Sequence, residues 1–167
     1  MAGLLAGLRV LDLTNVLAGP FCCYQLAQLG AEVIKVETPG TGDLARQLGA
    51  DPELNRKLMG ASFLAQNAGK RSIALNLKHE KAREAFMRLV KTADVVVENF
   101  RPGVMSVTGD AQSAPLRVGY PVCDSIGGLA AAFAISSALV RKGRSYNRPL
   151  AFSSYFVVNR TSSRMWR

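Results

Sequence analysis

The chain has 167 residues, 49% of them hydrophobic, and carries 21 Lys plus Arg against 12 Asp plus Glu, a formal charge of +9. A folded domain of this length buries roughly 65–70% of the surface its unfolded chain exposes, and so much apolar content excludes a disordered chain. The charge is uneven: residues 1–140 hold 14 basic and 12 acidic side chains, whereas residues 141–167 hold seven Lys or Arg and no acid. The basic character belongs to a tail. It reads as a solvated or disordered segment; nucleic-acid binding is the sharper alternative, which no recognised fingerprint accompanies.

The three cysteines, Cys22, Cys23 and Cys123, form neither a disulfide framework nor a zinc spacing, which favours a reducing, cytoplasmic setting. Arg9 and Asp12 interrupt the first apolar stretch, so no signal peptide is expected. The longest uncharged run, between Asp124 and Arg141, falls short of the ~20 apolar residues that span a bilayer and reads as a buried helix. A soluble protein without a membrane partner is expected.

In chain order, residues 9–13 form a β-like run. A small-residue turn then leads to Pro20, which suits the first position of a helix reaching Leu29, with Gly30 as its left-handed terminator. Residues 31–37 follow as a second strand and residues 38–43 as a loop. Pro52 and Gly60 break the next stretch, where a short helix is expected around residues 58–66. A third strand is expected at 72–77, an amphipathic helix from His79 to Val90, and a fourth, unalternating strand at 94–98. This β-α-β-loop-β-α-β succession predicts an α/β fold, a doubly wound, mainly parallel sheet with flanking helices. Beyond it, residues 106–120 read as a loop, 121–140 as one helix and 148–158 as a last strand. The organisation expected is 1–105 as the α/β domain, 106–140 as loop plus long helix, and 141–167 as the basic tail.

Ligands of open parallel sheets bind beyond the carboxyl ends of the strands. Three turns there are chemically distinctive. Leu17-Ala18-Gly19-Pro20 lets a ligand approach backbone N–H groups at a helix start, and residues 38–43 contain two glycines. Asn99-Phe100-Arg101 offers an amide, a ring and a fixed cation, while Lys70, Arg71 and Lys78 bracket the third strand within reach of phosphates. These features suit an anionic, nucleotide-bearing ligand; ordinary turns with solvated charges are the plainer alternative. Neither a G-x-G-x-x-G nor a Walker loop is present, and no ligand cluster for a metal. His79 reads as a capping-region residue. Cys22 and Cys23 read as small buried apolar residues, with a reactive Cys22 thiol as the alternative.

Together, Arg9-Val-Leu-Asp-Leu-Thr14, Leu17-Ala-Gly-Pro20, Leu29 to Glu37, Gly42-Asp43, Asn67 to Lys78 and Asp94 to Gly103 resemble the amino-terminal part of family III CoA transferases. This is the CaiB/BaiF, formyl-CoA transferase-like group, which includes α-methylacyl-CoA racemases. Gly119 to Gly128 resembles a later family segment. The resemblance implies a Rossmann-like CoA-binding domain, acyl-CoA and a small carboxylate as substrates, no metal, and an interlocked homodimer. By position it assigns coenzyme contacts to Leu17, Ala18, Leu75, Asn76, Leu77, Lys78, Asn99, Phe100 and Arg101; Thr38 replaces a residue that is often basic in the family.

In the family, an aspartate attacks the acyl-CoA thioester and yields a mixed anhydride, then an enzyme-bound CoA thioester, from which an incoming carboxylate takes the coenzyme. Here Val104-Met105 runs directly into Ser106-Val-Thr-Gly109, which the family reaches only later, so the nucleophile's segment is missing and no catalytic residue is assigned. Asp124, the best-placed remaining acid, reads as a helix cap. The expectation is a CoA transferase with impaired turnover. A racemase relative and a non-catalytic CoA-binding or pairing module are the alternatives.

Overall fold

The computed structural model describes residues 3–98 and 122–143, together with two short strands, Ala151–Phe152 and Phe156–Val157. Its centre is β1 (Arg9–Asp12), whose Val10 and Leu11 are both fully buried. Successive strand residues face opposite sides, so an unbroken apolar run requires cover on both. Val10 packs with Val33, Val95, Cys22 and Leu26 on one side, and Leu11 packs with Val36, Phe86 and Ala93 on the other.

β1 pairs in parallel with β2 (Glu32–Glu37), placing Val10 beside Val33, and with β4 (Val95–Val97), placing Leu11 beside Val96. β2 pairs in parallel with β3 (Arg71–Ala74). The order is β3-β2-β1-β4. Helix α1 (Ala18–Gln28) covers one face and α4 (Glu80–Val90) the other, the doubly wound arrangement that the sequence predicts. Because β2 and β3 extend to one side of β1 and β4 to the other, the sheet has its switch point between β1 and β4.

The boundaries differ from expectation for local reasons. Helix α1 starts two residues before Pro20, which still lies in the first turn, where its missing N–H costs nothing. The helix ends ahead of Gly30, whose φ of 99° supplies the left-handed stop. The third strand ends at Ala74 rather than residue 77. There Asn76 turns the chain, its Oδ1 accepting from the Lys78 N–H and its carbonyl from the His79 N–H.

Residues 44–67 hold three short elements in place of one: a 3₁₀ turn (Leu44–Gln47), α2 (Pro52–Arg56) and α3 (Ala61–Asn67). The carboxylates of Asp43 and Asp51 cap the first two.

Helix α5 (Val122–Gly143) runs slightly longer than predicted, with Asp124 in its first turn. Ala131, Ala132 and Ile135 join Val10, Val33 and Val97 in one apolar layer. The contact with α1 is close: a Cβ on Gly128 would stand 2.5 Å from the Ala18 carbonyl oxygen. In place of one strand at 148–158 there are two antiparallel two-residue strands, β5 (Ala151–Phe152) and β6 (Phe156–Val157). The loop expected at 106–120 lies outside the described residues.

Candidate functional site

The carboxyl edge of the sheet is built around the exit from β1. The Leu13 N–H donates to the Val97 carbonyl at 2.9 Å, so the chain leaves β1 beside the end of β4. It then passes through buried Thr14 and exposed Asn15 to Val16, whose φ of 72° is left-handed. For a β-branched residue that conformation costs about 1–3 kcal/mol and persists only where neighbours impose it. Helix α1 begins at Ala18 with no side chain capping it, and Leu17 and Ala18 are half-buried. Gly19 is obligatory, since a Cβ there would lie 2.3 Å from the Thr14 Cβ.

Beneath this turn lies a group of buried charges. Asp12, fully buried, accepts from the Thr14 N–H at 2.9 Å and from the Thr14 hydroxyl through Oδ1. Its Oδ2 receives Lys70 Nζ at 2.8 Å, and that ammonium also donates to the Pro20 carbonyl and to Asn67 Oδ1, each at 2.8 Å. All three protons of Lys70 are thus used, as a buried ammonium requires. Lys35 Nζ donates to the Thr14 carbonyl at 2.9 Å and lies 2.8 Å from Asp43 Oδ2 and 3.8 Å from Asp12 Oδ2. The Lys35–Asp43 approach is an ion pair rather than a well-angled hydrogen bond. The other Asp43 oxygen, Oδ1, accepts from the Val16 and Ala45 N–H groups at 3.0 and 2.9 Å.

Glu37, at the end of β2, anchors the following loop. It accepts Arg46 Nε at 2.7 Å and Nη2 at 2.8 Å, the Ser72 hydroxyl at 2.6 Å and the Asp43 N–H at 3.0 Å. Burial pushes its carboxyl pKa up, but the bonds from Arg46, Ser72 and Asp43 outweigh burial and hold it down at about 2. Gly42, at φ 64°, lets the loop pass, since a Cβ there would meet Arg46 and Glu37 within 2.7 Å. Between this loop and the β1 exit is a small polar cleft of about 90 Å³, lined among others by Thr14, Asn15, Lys35, Thr38 and Asp43.

The residues singled out from sequence fall at three points on this edge. Leu17 and Ala18 follow β1, and Leu75, Asn76, Leu77 and Lys78 follow β3 with β2 between. Asn99, Phe100 and Arg101 lie outside the described residues, which resume only at α5; Glu98 directly follows β4, next to β1.

Two cations expected near phosphates are placed otherwise. Lys70 is buried and spent on Asp12, Asn67 and Pro20. Arg71 stands at the opposite, amino end of β3 and pairs with Glu32 at 2.8 Å. Lys78 is exposed on the carboxyl edge. His79 is the exposed residue preceding α4, making no side-chain cap. Cys22 and Cys23 are free and fully buried, and burial, then the bond with Cys22, pushes the Cys23 thiol well up. Among the described residues no cluster of His, Cys, Asp or Glu is placed to hold a metal ion, and no helix is long and apolar enough to cross a membrane.

The sequence pattern of CoA-transferase family III matches residues 5–106 and, as a second stretch, 101–146. The chain belongs to CoA-transferase family III. It is 52% identical over 107 residues to the succinyl-CoA:mesaconate CoA-transferase of Haloarcula marismortui, a span covering 62% of this chain and 26% of that protein. It is 47% identical over 110 residues to the formyl-CoA:oxalate CoA-transferase of Afipia carboxidovorans, covering 65% of this chain and 25% of that one. The chain therefore spans about a quarter of the length of the curated relatives it matches. Among solved structures, a CaiB/BaiF family protein from Brucella suis is similar at 32% identity with a TM-score of 0.69, over 86% of this chain and 51% of that one. A hypothetical protein from Mycobacterium tuberculosis is similar at 30% identity with a TM-score of 0.71, over the same shares.

Proposed function

We propose that the chain is the coenzyme-seating part of an acyl-CoA:carboxylate CoA transferase, in which binding of coenzyme A outlasts turnover. The observation that carries this reading is the β3-β2-β1-β4 order, which sets the exits of β1 and β4 side by side at the switch point. In this reading Leu17 and Ala18 present the start of α1 to the ligand and Leu75 to Lys78 form the far wall; Asn99, Phe100 and Arg101 are taken as further coenzyme contacts from the family resemblance alone. A helix start offers outward N–H groups and a positive dipole end, and Lys78 adds an exposed cation, a combination suited to the phosphates of coenzyme A.

Residues 1–105 act as the coenzyme domain, with α5 (Val122–Gly143) buttressing α1 and the excess basic charge carried after residue 140. Transfer through an aspartyl intermediate needs a carboxylate poised over the thioester. The two family matches overlap at residues 101–106, which supports a join between stretches that are apart in full-length relatives, with the nucleophile's segment between them omitted. The acyl groups to try first are those of the relatives, succinyl-CoA with mesaconate and formyl-CoA with oxalate. We also take two chains to associate, a reading supported by Ile126, Leu129 and Phe133, which leave an apolar stripe of α5 exposed. The buried free thiols suit a reducing cytoplasm.

Calorimetric titration of the purified chain with coenzyme A tests the seat, and chromatography of CoA thioesters after mixing each donor–acceptor pair tests transfer. Saturable CoA binding with little thioester exchange is expected. Absence of binding at millimolar coenzyme overturns the seat, and rapid exchange overturns the impairment.

A further inference from the structure

We propose that Asp43 is a positioning residue for the turn that opens α1, holding Val16 in its left-handed conformation from a loop 27 residues away. The inference rests on the coenzyme reading above, because that reading gives the turn its purpose. Val16 has φ 72° although its side chain is β-branched, so something outside the turn must impose the conformation. The Val16 N–H donates to Asp43 Oδ1 at 3.0 Å, from a carboxylate that is itself buried.

Asp43 is in turn fixed from three directions. Its Oδ1 caps the 3₁₀ turn through the Ala45 N–H, its own N–H donates to Glu37 Oε2, and its Oδ2 faces Lys35 Nζ at 2.8 Å. Lys35 closes the circuit by donating to the Thr14 carbonyl, two residues before Val16. A parallel strap joins the same two loops, with the Leu44 N–H donating to Asn15 Oδ1 at 3.0 Å. Leu17 and Ala18 follow directly, so the direction in which their backbone faces is set by how firmly Val16 is held. In the coenzyme reading Asp43 itself touches no ligand; it acts through Val16.

The test is a cycle of Asp43→Ala, Asp43→Asn and Val16→Gly in the full chain, read by amide hydrogen exchange at residues 16–19 without ligand and by CoA titration. Asp43→Ala is expected to speed exchange at 16–19 selectively and to weaken CoA binding roughly tenfold, the worth of one charge-assisted hydrogen bond. Asp43→Asn keeps an acceptor for the Val16 N–H and is expected to restore most of the protection. Glycine adopts positive φ without strain, so in the Val16→Gly background Asp43→Ala should cost clearly less. Exchange at 16–19 that stays unchanged, or effects of the two substitutions that simply add, overturn the proposal. If the parent chain fails to bind CoA, the coenzyme reading falls, while the exchange arm, read without ligand, still decides whether Asp43 holds the turn. Should Asp43→Ala not fold, Asp43→Asn still decides it: protection at 16–19 that is lost although the amide keeps an acceptor for the Val16 N–H counts against the assignment, and protection that is kept supports it.

Discussion

Arg46 grips Glu37 with two near-parallel hydrogen bonds of 2.7 and 2.8 Å while its guanidinium lies 3.7 Å above the centroid of the Phe63 ring. One side chain thereby ties the end of β2 to α3, and its planar fork is used on the carboxylate and its face on the ring. Lysine can do neither as well. Arg46→Lys is expected to lower stability by about 2 kcal/mol, measured by urea unfolding with an unchanged m-value.

The same pair sets an acid limit. Glu37 has its pKa lowered from 4.5 to about 2 in the fold, so the unfolded chain binds the proton first as pH falls. The stabilisation is present above about pH 4.5 and is lost progressively as pH drops toward about 2, an effect on the order of 3 kcal/mol. Glu37→Gln should flatten that part of the stability–pH curve and lower the plateau at neutral pH. A wild-type curve with no slope below pH 4.5 would contradict it.

Lys70 and Lys78 stand eight residues apart in the chain and are expected to behave oppositely. Lys70→Met strands the buried Asp12 carboxylate and should destabilise the fold by about 3–5 kcal/mol, seen as a lower denaturation midpoint. Lys78→Ala should leave the midpoint within about 0.5 kcal/mol, because the side chain is exposed, yet weaken CoA binding in a salt-dependent way. Reversed effects would overturn the proposed role of Lys78.

Much of this was open to a reader of the sequence. The four strands, α1, α4 and α5 follow from apolar runs, glycine stops and one amphipathic stripe, because those signals are local. Asp12 and Lys35, by contrast, are charges flanked on both sides by apolar residues, and such residues must be paired when buried. That pattern flags them as unusual, but their partners Lys70 and Asp43 come from loops whose proximity only the crossover connections create. Lys70 reads as a phosphate ligand in sequence for the same reason: nothing local shows that its reach is inward. The middle segment holds more elements than expected because Asp43 and Asp51-Pro52 start helices only four or five residues long, too short to show an apolar periodicity.

Gly128→Ala should press α5 away from α1, since the added methyl would meet the Ala18 carbonyl at 2.5 Å. A loss of about 1–3 kcal/mol is expected, with a weaker CoA affinity if the proposed seat at Ala18 holds the coenzyme. Thermal unfolding and CoA titration of the same sample check both; unaltered stability would mean that the helices are not so closely docked.

Phe133→Glu tests the exposed stripe. Phe133 is 76% exposed, so the substitution should leave stability within about 0.5 kcal/mol. Light scattering should show the parent associating as concentration rises and the variant remaining monomeric. Equal behaviour of the two would remove this stripe from any contact between chains.

The layer that Val10, Val33 and Val97 open from the sheet is completed by Ala131, Ala132 and Ile135, residues encoded after the point where the two family stretches meet. A protein cut at that point would leave the apolar flank of α1 uncovered, so the two matched stretches fold as one unit. The second stretch thus serves the first as its cover from water.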